Sequence, residues 1–251
     1  MNYIRNTKTN RLMYKTILLI CIFISANSIA NAQASNFKGS RIILSSNAAG
    51  ERSSFYVYQP AFKAKAIYSN FSEVTNQYPE QLFSSILSET NQEWYDSNIL
   101  ENSGLRQKQD QQHFDQVTLM DKEKTYFELK CKLQFQYQQS EIAVIKFYLH
   151  LNEKDTLCGA YVMQKVNNKW LKTATPFTND LATLFVRLKT DRLEQILTGN
   201  ASGDKAVSEL IKKVSIQDGS ISIFKLVEEV KIWYKNKEEV KIKYFKDPKS
   251  W

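Results

Sequence analysis

The chain has two histidines, and one of them, His113, stands two residues before Asp115. In a strand, residues two apart project to the same face. If 113–120 is a strand, this pair could pass a proton or hold part of a metal site. The plainer expectation for such a pair is a solvated polar edge. His150 ends a second apolar run and is expected at a sheet rim. No grouping of His, Cys, Asp and Glu has the spacing of a metal site. Gly-x-Ser-x-Gly does not occur, so there is no nucleophile elbow. Gly199-Asn-Ala-Ser-Gly203 lacks the lysine of a phosphate loop. Glu228-Glu229 and Glu238-Glu239 fall in surface patterns, where solvated charge is the default. No cofactor is implied. Catalytic groups need not be neighbours in sequence, so a hydrolase using His113 and Asp115 stands as the alternative to a non-catalytic binding protein.

A second set of candidates lies at the C-terminal end, where Lys241, Lys243, Tyr244, Phe245 and Trp251 interleave charge and aromatic rings. Such a mixture can contact anionic glycans, lipid head groups or nucleic acid. It also suits an edge strand guarded by lysines against aggregation.

The elements that would position these residues follow from hydropathy patterning. Phe127, Leu129, Cys131, Leu133, Phe135 and Tyr137 alternate with Glu128, Lys130, Lys132, Gln134 and Gln136, the period-two signature of a strand with one wet face. Strands are also expected at 113–120, 142–151, 157–166 and 170–174. Short turns separate them, among them Asn167-Asn168-Lys169. Together these five make an antiparallel meander. Upstream, 41–45 and 55–58 have strand character. Asn47–Gly50 forms a turn between them, and Pro60 closes the second.

Pro79 and Glu80 suit a first helical turn, and Leu82, Phe83, Ile86 and Leu87 form one apolar stripe that Trp94 could extend. After Pro176, helices are expected from Asp180 to Gly199, after Asp204, and from Gly219 to about Tyr234. A terminal strand is expected near Val240–Tyr244. The fold class is α+β: a helix on an antiparallel, curved meander over 33–175, then a mainly helical part with a basic tail over 176–251. A sheet curving around the 79–95 helix would bring Trp94, Phe127, Phe135, Phe147 and Tyr161 to the core or to a ligand pocket.

The stretch PEQLFSSIL, the long antiparallel strands and the Asn-Asn-Lys-Trp hairpin at 167–170 together resemble, in element order, the NTF2-like or cystatin-like plan over about residues 60–175. That resemblance implies a pocket between helix and sheet. It implies no particular reaction and no catalytic residue.

At the N-terminus, Lys15 precedes an apolar run of about ten residues, against the roughly twenty that span a bilayer. Ala30-Asn31-Ala32 and Ala32-Gln33-Ala34 then offer small-residue cleavage sites. Residues 1–32 are therefore expected to be a secretory signal peptide, with Met13 an alternative start that would leave 1–12 untranslated. Cys21 follows Ile20, which does not suit a lipoprotein site. Cleavage after Ala32 removes Arg5, Lys8, Arg11 and Lys15 and no acid, so the formal charge of +8 falls to +4. Residues 231–251 carry that remainder, with seven Lys against Glu238, Glu239 and Asp247. A basic tail without a basic domain argues against a nucleic-acid binder. The expectation is an exported protein, periplasmic or extracellular, whose partner is a protein, a glycan or a small apolar ligand. Cys131 and Cys158 are placed level with each other on strands two apart, about 9–10 Å, too far for a disulfide.

Overall fold

The computed structural model describes residues 44–45, 53–151, 155–216, 219–236 and 244–245, all within one compact unit over 39–251. The strands are β1 (Leu44–Ser45), β2 (Ser54–Lys65), β3 (Tyr126–Tyr137), β4 (Ser140–Leu151), β5 (Asp155–Val166), β6 (Lys169–Lys172) and β7 (Ile221–Ser222). The helices are α1 (Pro79–Ile86), α2 (Gln92–Ser97), α3 (Gln111–Leu119), α4 (Pro176–Arg187), α5 (Thr190–Leu197), α6 (Lys205–Val214) and α7 (Ile223–Asn236). Strands β2 to β6 form one antiparallel sheet in chain order, while β1 pairs with β7 in parallel. The protein is α+β, with a curved antiparallel sheet and C-terminal helices.

The first strand of the sheet is β2, not the expected segment 113–120. Strand β2 also runs through Pro60 instead of ending there. It is an edge strand, and the register shift between Val57 and Phe62 brackets the proline. Edges and bulges are where a residue without N–H is tolerated. Residues 113–120 lie mostly in α3. The Asp110 side chain accepts the His113 N–H, and Phe114 is the helix's one buried residue. Phe114 and Val117 are three apart, a helical spacing that the strand reading passed over.

The period-two run of β3 serves both faces of the sheet. Leu129 pairs with Phe147, yet Cys131 pairs with Lys146, so Lys130 is an extra residue in the ladder. A bulge of this kind reverses the facing of everything beyond it. Phe127 and Leu129 face the α1 layer, where Phe127 meets Phe83 edge-on at 5.1 Å. Cys131, Leu133 and Phe135 face the other way, into a core with Leu181, Phe185, Leu193, Ile196, Val207 and Val227 of the C-terminal helices. The sheet is thus covered on both sides.

Several helix ends follow sequence logic. Pro79 opens α1, Pro176 opens α4, and the Asp204 side chain caps α6 by accepting the Ala206 and Val207 N–H groups. The cap of α4 is Thr175, not Asp180, which lies inside the helix and pairs with Lys231 at 2.7 Å. The stripe expected over 79–95 is divided between α1 and α2, and Asn91 caps the second by accepting Trp94 N–H.

Gln138 and Gln139, at φ +47° and +65°, turn the chain in two residues so that Tyr137 pairs with Ser140. This turn is tighter than expected and shifts the register. Cys131 lies opposite Lys146 and Cys158 opposite Tyr148, so the two sulfurs are offset along β4 as well as two strands apart. Both residues are thiols, Cys131 buried and Cys158 half-buried. The expected turn at 47–50 and strand residues 240–243 lie outside the described residues, as does the N-terminal segment.

Candidate functional site

Between α1–α3 and the sheet lies an aromatic wall with a buried polar cluster beside it. The wall is built by strand register. Phe127 and Phe147 come from β3 and β4 and Tyr161 from β5. Phe83 of α1 packs on all three at 5.1–5.3 Å between ring centroids. Trp94 is 1% exposed on the same side, against Phe71. Of the five aromatics expected to line a pocket, four share this layer. Phe135 does not, because the bulge at Lys130 turns it to the opposite core.

The polar cluster starts from α1. Ser85 accepts the Trp94 indole N–H at 2.8 Å and donates to Asn98 Oδ1 at 2.7 Å. Asn98 Oδ1 also accepts from Asn76 Nδ2 at 3.1 Å, and Asn98 Nδ2 donates to Glu89 Oε2 at 3.0 Å. Ser85, Asn76, Asn98 and Glu89 are all buried. Strand β6 is tied to the same place: Lys172 N–H donates to Asn98 O, and Leu100 N–H donates to Lys172 O, each at 2.8 Å. Lys172 Nζ lies 4.3 Å from the centroid of the Tyr161 ring, a cation–π contact. On the α3 side, His113 Nε2 stands 3.7 Å from Glu89 Oε1, and its ring meets Tyr95 and Phe114 edge-on.

Burial dominates the electrostatics. It raises the Glu89 carboxyl to about 7, opposed only in part by the Asn98 hydrogen bond and the charge of Lys172. Burial lowers the Lys172 ammonium, with Glu89 pulling the other way. Burial, with the charges of Glu89 and Tyr95 adding, pushes the Tyr161 hydroxyl up to about 12. A carboxyl that exchanges its proton near neutrality beside an imidazole is what acid–base work uses. Strongly shifted groups that converge in one place also mark binding sites. Among the described residues, no group of three or more His, Cys, Asp or Glu could hold a metal ion.

Comparison with protein-family models, with curated proteins and with solved structures returns no match.

The expected pairing of His113 with Asp115 does not form. On a helix, residues two apart point in nearly opposite directions. Asp115 is exposed and accepts from Gln111 Nε2 at 2.9 Å, while His113 turns to Glu89. His150 sits at the sheet rim. Its Nε2 is 2.9 Å from Glu128 Oε2, its Nδ1 is 3.4 Å from Thr156 Oγ1, and Tyr126 stacks on it. These groups come from adjacent positions on β3, β4 and β5, an ordinary cross-strand ladder. At the C-terminal end, Tyr244 and Phe245 are buried against Trp233, and the Tyr244 hydroxyl donates to Asp204, so both rings face the core. Lys241, Lys243 and Trp251 lie outside the described residues.

Sequence reasoning missed Glu89, Asn98, Ser85, Asn76 and Lys172. One signal was available: Ser85 stands three residues after Leu82, at the helical spacing of the buried stripe of α1, and Glu89 follows in the short loop beyond the helix end.

Proposed function

We propose that this chain is an exported binding protein, acting without catalysis, whose ligand docks where the Phe83–Tyr161 wall meets the Glu89 cluster. The observation that carries this reading is the convergence of Glu89, His113, Lys172 and Tyr161 from α1–α3 and two strands, with Glu89 4% exposed. Buried polar groups assembled from distant parts of a chain, beside an aromatic surface, are the usual makeup of a small-molecule site. The fitting ligand is small, with an apolar ring for the wall and one hydrogen-bonding group for Glu89. The resemblance in element order to the NTF2-like or cystatin-like plan, which implies a pocket at this seam, agrees with the placement.

Benzoate and benzamide are suitable probes. Titrating either into the full chain, while following the Trp94 indole N–H by NMR, should give a saturable shift that Lys172→Met abolishes. The absence of any saturable shift, or one indifferent to that substitution, counts against the site. Export is tested by the mass of the natural protein, which should begin at Gln33 or Ser35. Retention of Leu18 and Ile22 refutes it.

A second reading, a hydrolase, is favoured by one observation: Glu89, raised to about 7, faces His113. It requires turnover of p-nitrophenyl esters or glycosides that disappears in His113→Ala while the fold persists.

A further inference from the structure

The α1-facing side of the sheet has a second feature, at the opposite end from the Phe127–Phe147 wall. Helix α1 ends its cover at Glu80, which accepts from Tyr58 Oη at 2.7 Å and from Lys132 Nζ at 2.6 Å. Beyond Lys132 the register places Ser54 opposite Gln134, and Gln136 opposite Glu141. With Tyr56, opposite Lys132, these five side chains share one face across three strands, and all are half-buried. They line a groove of about 190 Å³, with Phe135 at its edge.

The lining has a definite chemistry. Glu141 is paired with Lys165 at 2.7 Å, so the groove presents no unbalanced charge. No side-chain hydrogen bond to the described residues engages the Ser54 hydroxyl, the Tyr56 hydroxyl or the Gln134 amide. The Gln134 side-chain amide offers a donor and an acceptor a short distance apart, which matches two neighbouring hydroxyls of a sugar ring. Tyr56 adds a phenol and the side of its ring away from Lys132, whose Nζ lies over the other side at 5.4 Å from the centroid. A charged ligand finds no unpaired counter-charge here, and an apolar ligand would strip water from the Gln134 amide without replacing its hydrogen bonds. The volume is below the roughly 300–1,000 Å³ of sites that enclose a drug-sized molecule, so one ring fits and the rest of a chain stays in solvent.

We propose that this groove binds one ring of a neutral saccharide. The site is separate from the Glu89 seam and does not depend on the reading given to that seam.

Saturation-transfer NMR on the full chain, with maltotriose, cellotriose, mannotriose and chitotriose as probes, tests the proposal. At least one of the four should receive saturation at a single ring. Gln134→Ala should weaken its binding by about five- to ten-fold, the scale of losing one or two hydrogen bonds. Tyr56→Ala should weaken it at least as much. Tyr56→Phe, which keeps the ring and the packing, should fall between wild type and Tyr56→Ala, and circular dichroism confirms that each variant is folded. Three outcomes overturn the proposal: no transfer to any of the four probes, transfer that survives the Tyr56→Ala/Gln134→Ala double substitution, or transfer lost in Lys172→Met, which would move the binding to the Glu89 seam.

Discussion

Glu89 Oε1 and His113 Nε2 stand 3.7 Å apart, and that nitrogen is buried with no hydrogen-bond partner among the described residues. The gap is too long for a hydrogen bond. Two segments distant in sequence, the loop after α1 and the first turn of α3, meet through this pair.

The Glu89 carboxyl gives stability a pH dependence of known sign. Its value in the fold, about 7, lies above the ordinary carboxyl range of the unfolded chain. Between those limits the folded state holds more protons than the unfolded state, so stability falls as pH rises and levels off above about 7. Glu89→Gln keeps an acceptor for Asn98 and removes the titration. The variant should match wild type near pH 4 and exceed it above pH 7, by at most about 3–4 kcal/mol. Urea denaturation across this range checks it; a wild-type curve that rises from pH 5 to 7 relative to the variant refutes it.

Gly159 lies directly opposite Phe147, whose ring occupies the space where a Cβ would go. Gly159→Ala should therefore cost about 1–3 kcal/mol, because Phe147 is itself held by Phe83, Phe127 and Tyr161. Gly104→Ala, with nothing within 4 Å, is the control and should stay within about 0.5 kcal/mol of wild type. Equal effects of the two substitutions in chemical denaturation would contradict the close contact.

Asp204 serves two structures at once. Its carboxylate caps α6 and accepts the Tyr244 hydroxyl, 3.1 Å from each oxygen. Asp204→Ala should cost about 1–2 kcal/mol, and Tyr244→Phe about 1 kcal/mol. The double variant should lose less than the sum, since each single substitution already breaks the shared bond. Strict additivity in a double-mutant cycle would show the two groups to be independent.

The thiols should differ in reactivity. Iodoacetamide should modify half-buried Cys158 in the native protein well before fully buried Cys131. Both should react once the chain is unfolded without reductant. Failure of either to react under those conditions would mean that a disulfide holds it.

Much of the fold was legible from local signals. Alternation identified β3, the Asn167-Asn168 turn placed β5 against β6, and Pro79 and Asp204 marked helix starts. The readings that failed had non-local causes. A proline ends a strand unless it falls at an edge, and edge position is a property of the sheet, not of the neighbouring residues. His113 and Asp115 looked like a pair only while their segment was taken for a strand. The candidate site was nearly invisible. Glu89, Asn98 and Lys172 are common surface residue types, and only the packing of α1 and α2 on β6 removes water from around them.

Lys130, the one residue of β3 that has no counterpart on β4, lets a single repetitive strand supply two separate hydrophobic interiors. Damage is thereby compartmented. Substitutions at Phe127 or Leu129 are felt first by the layer holding Glu89, and those at Leu133 or Phe135 by the C-terminal helices. Deleting Lys130 would join the two stretches into one uninterrupted ladder and leave every greasy side chain on its present face, because Leu129 and Cys131, then adjacent, already point opposite ways.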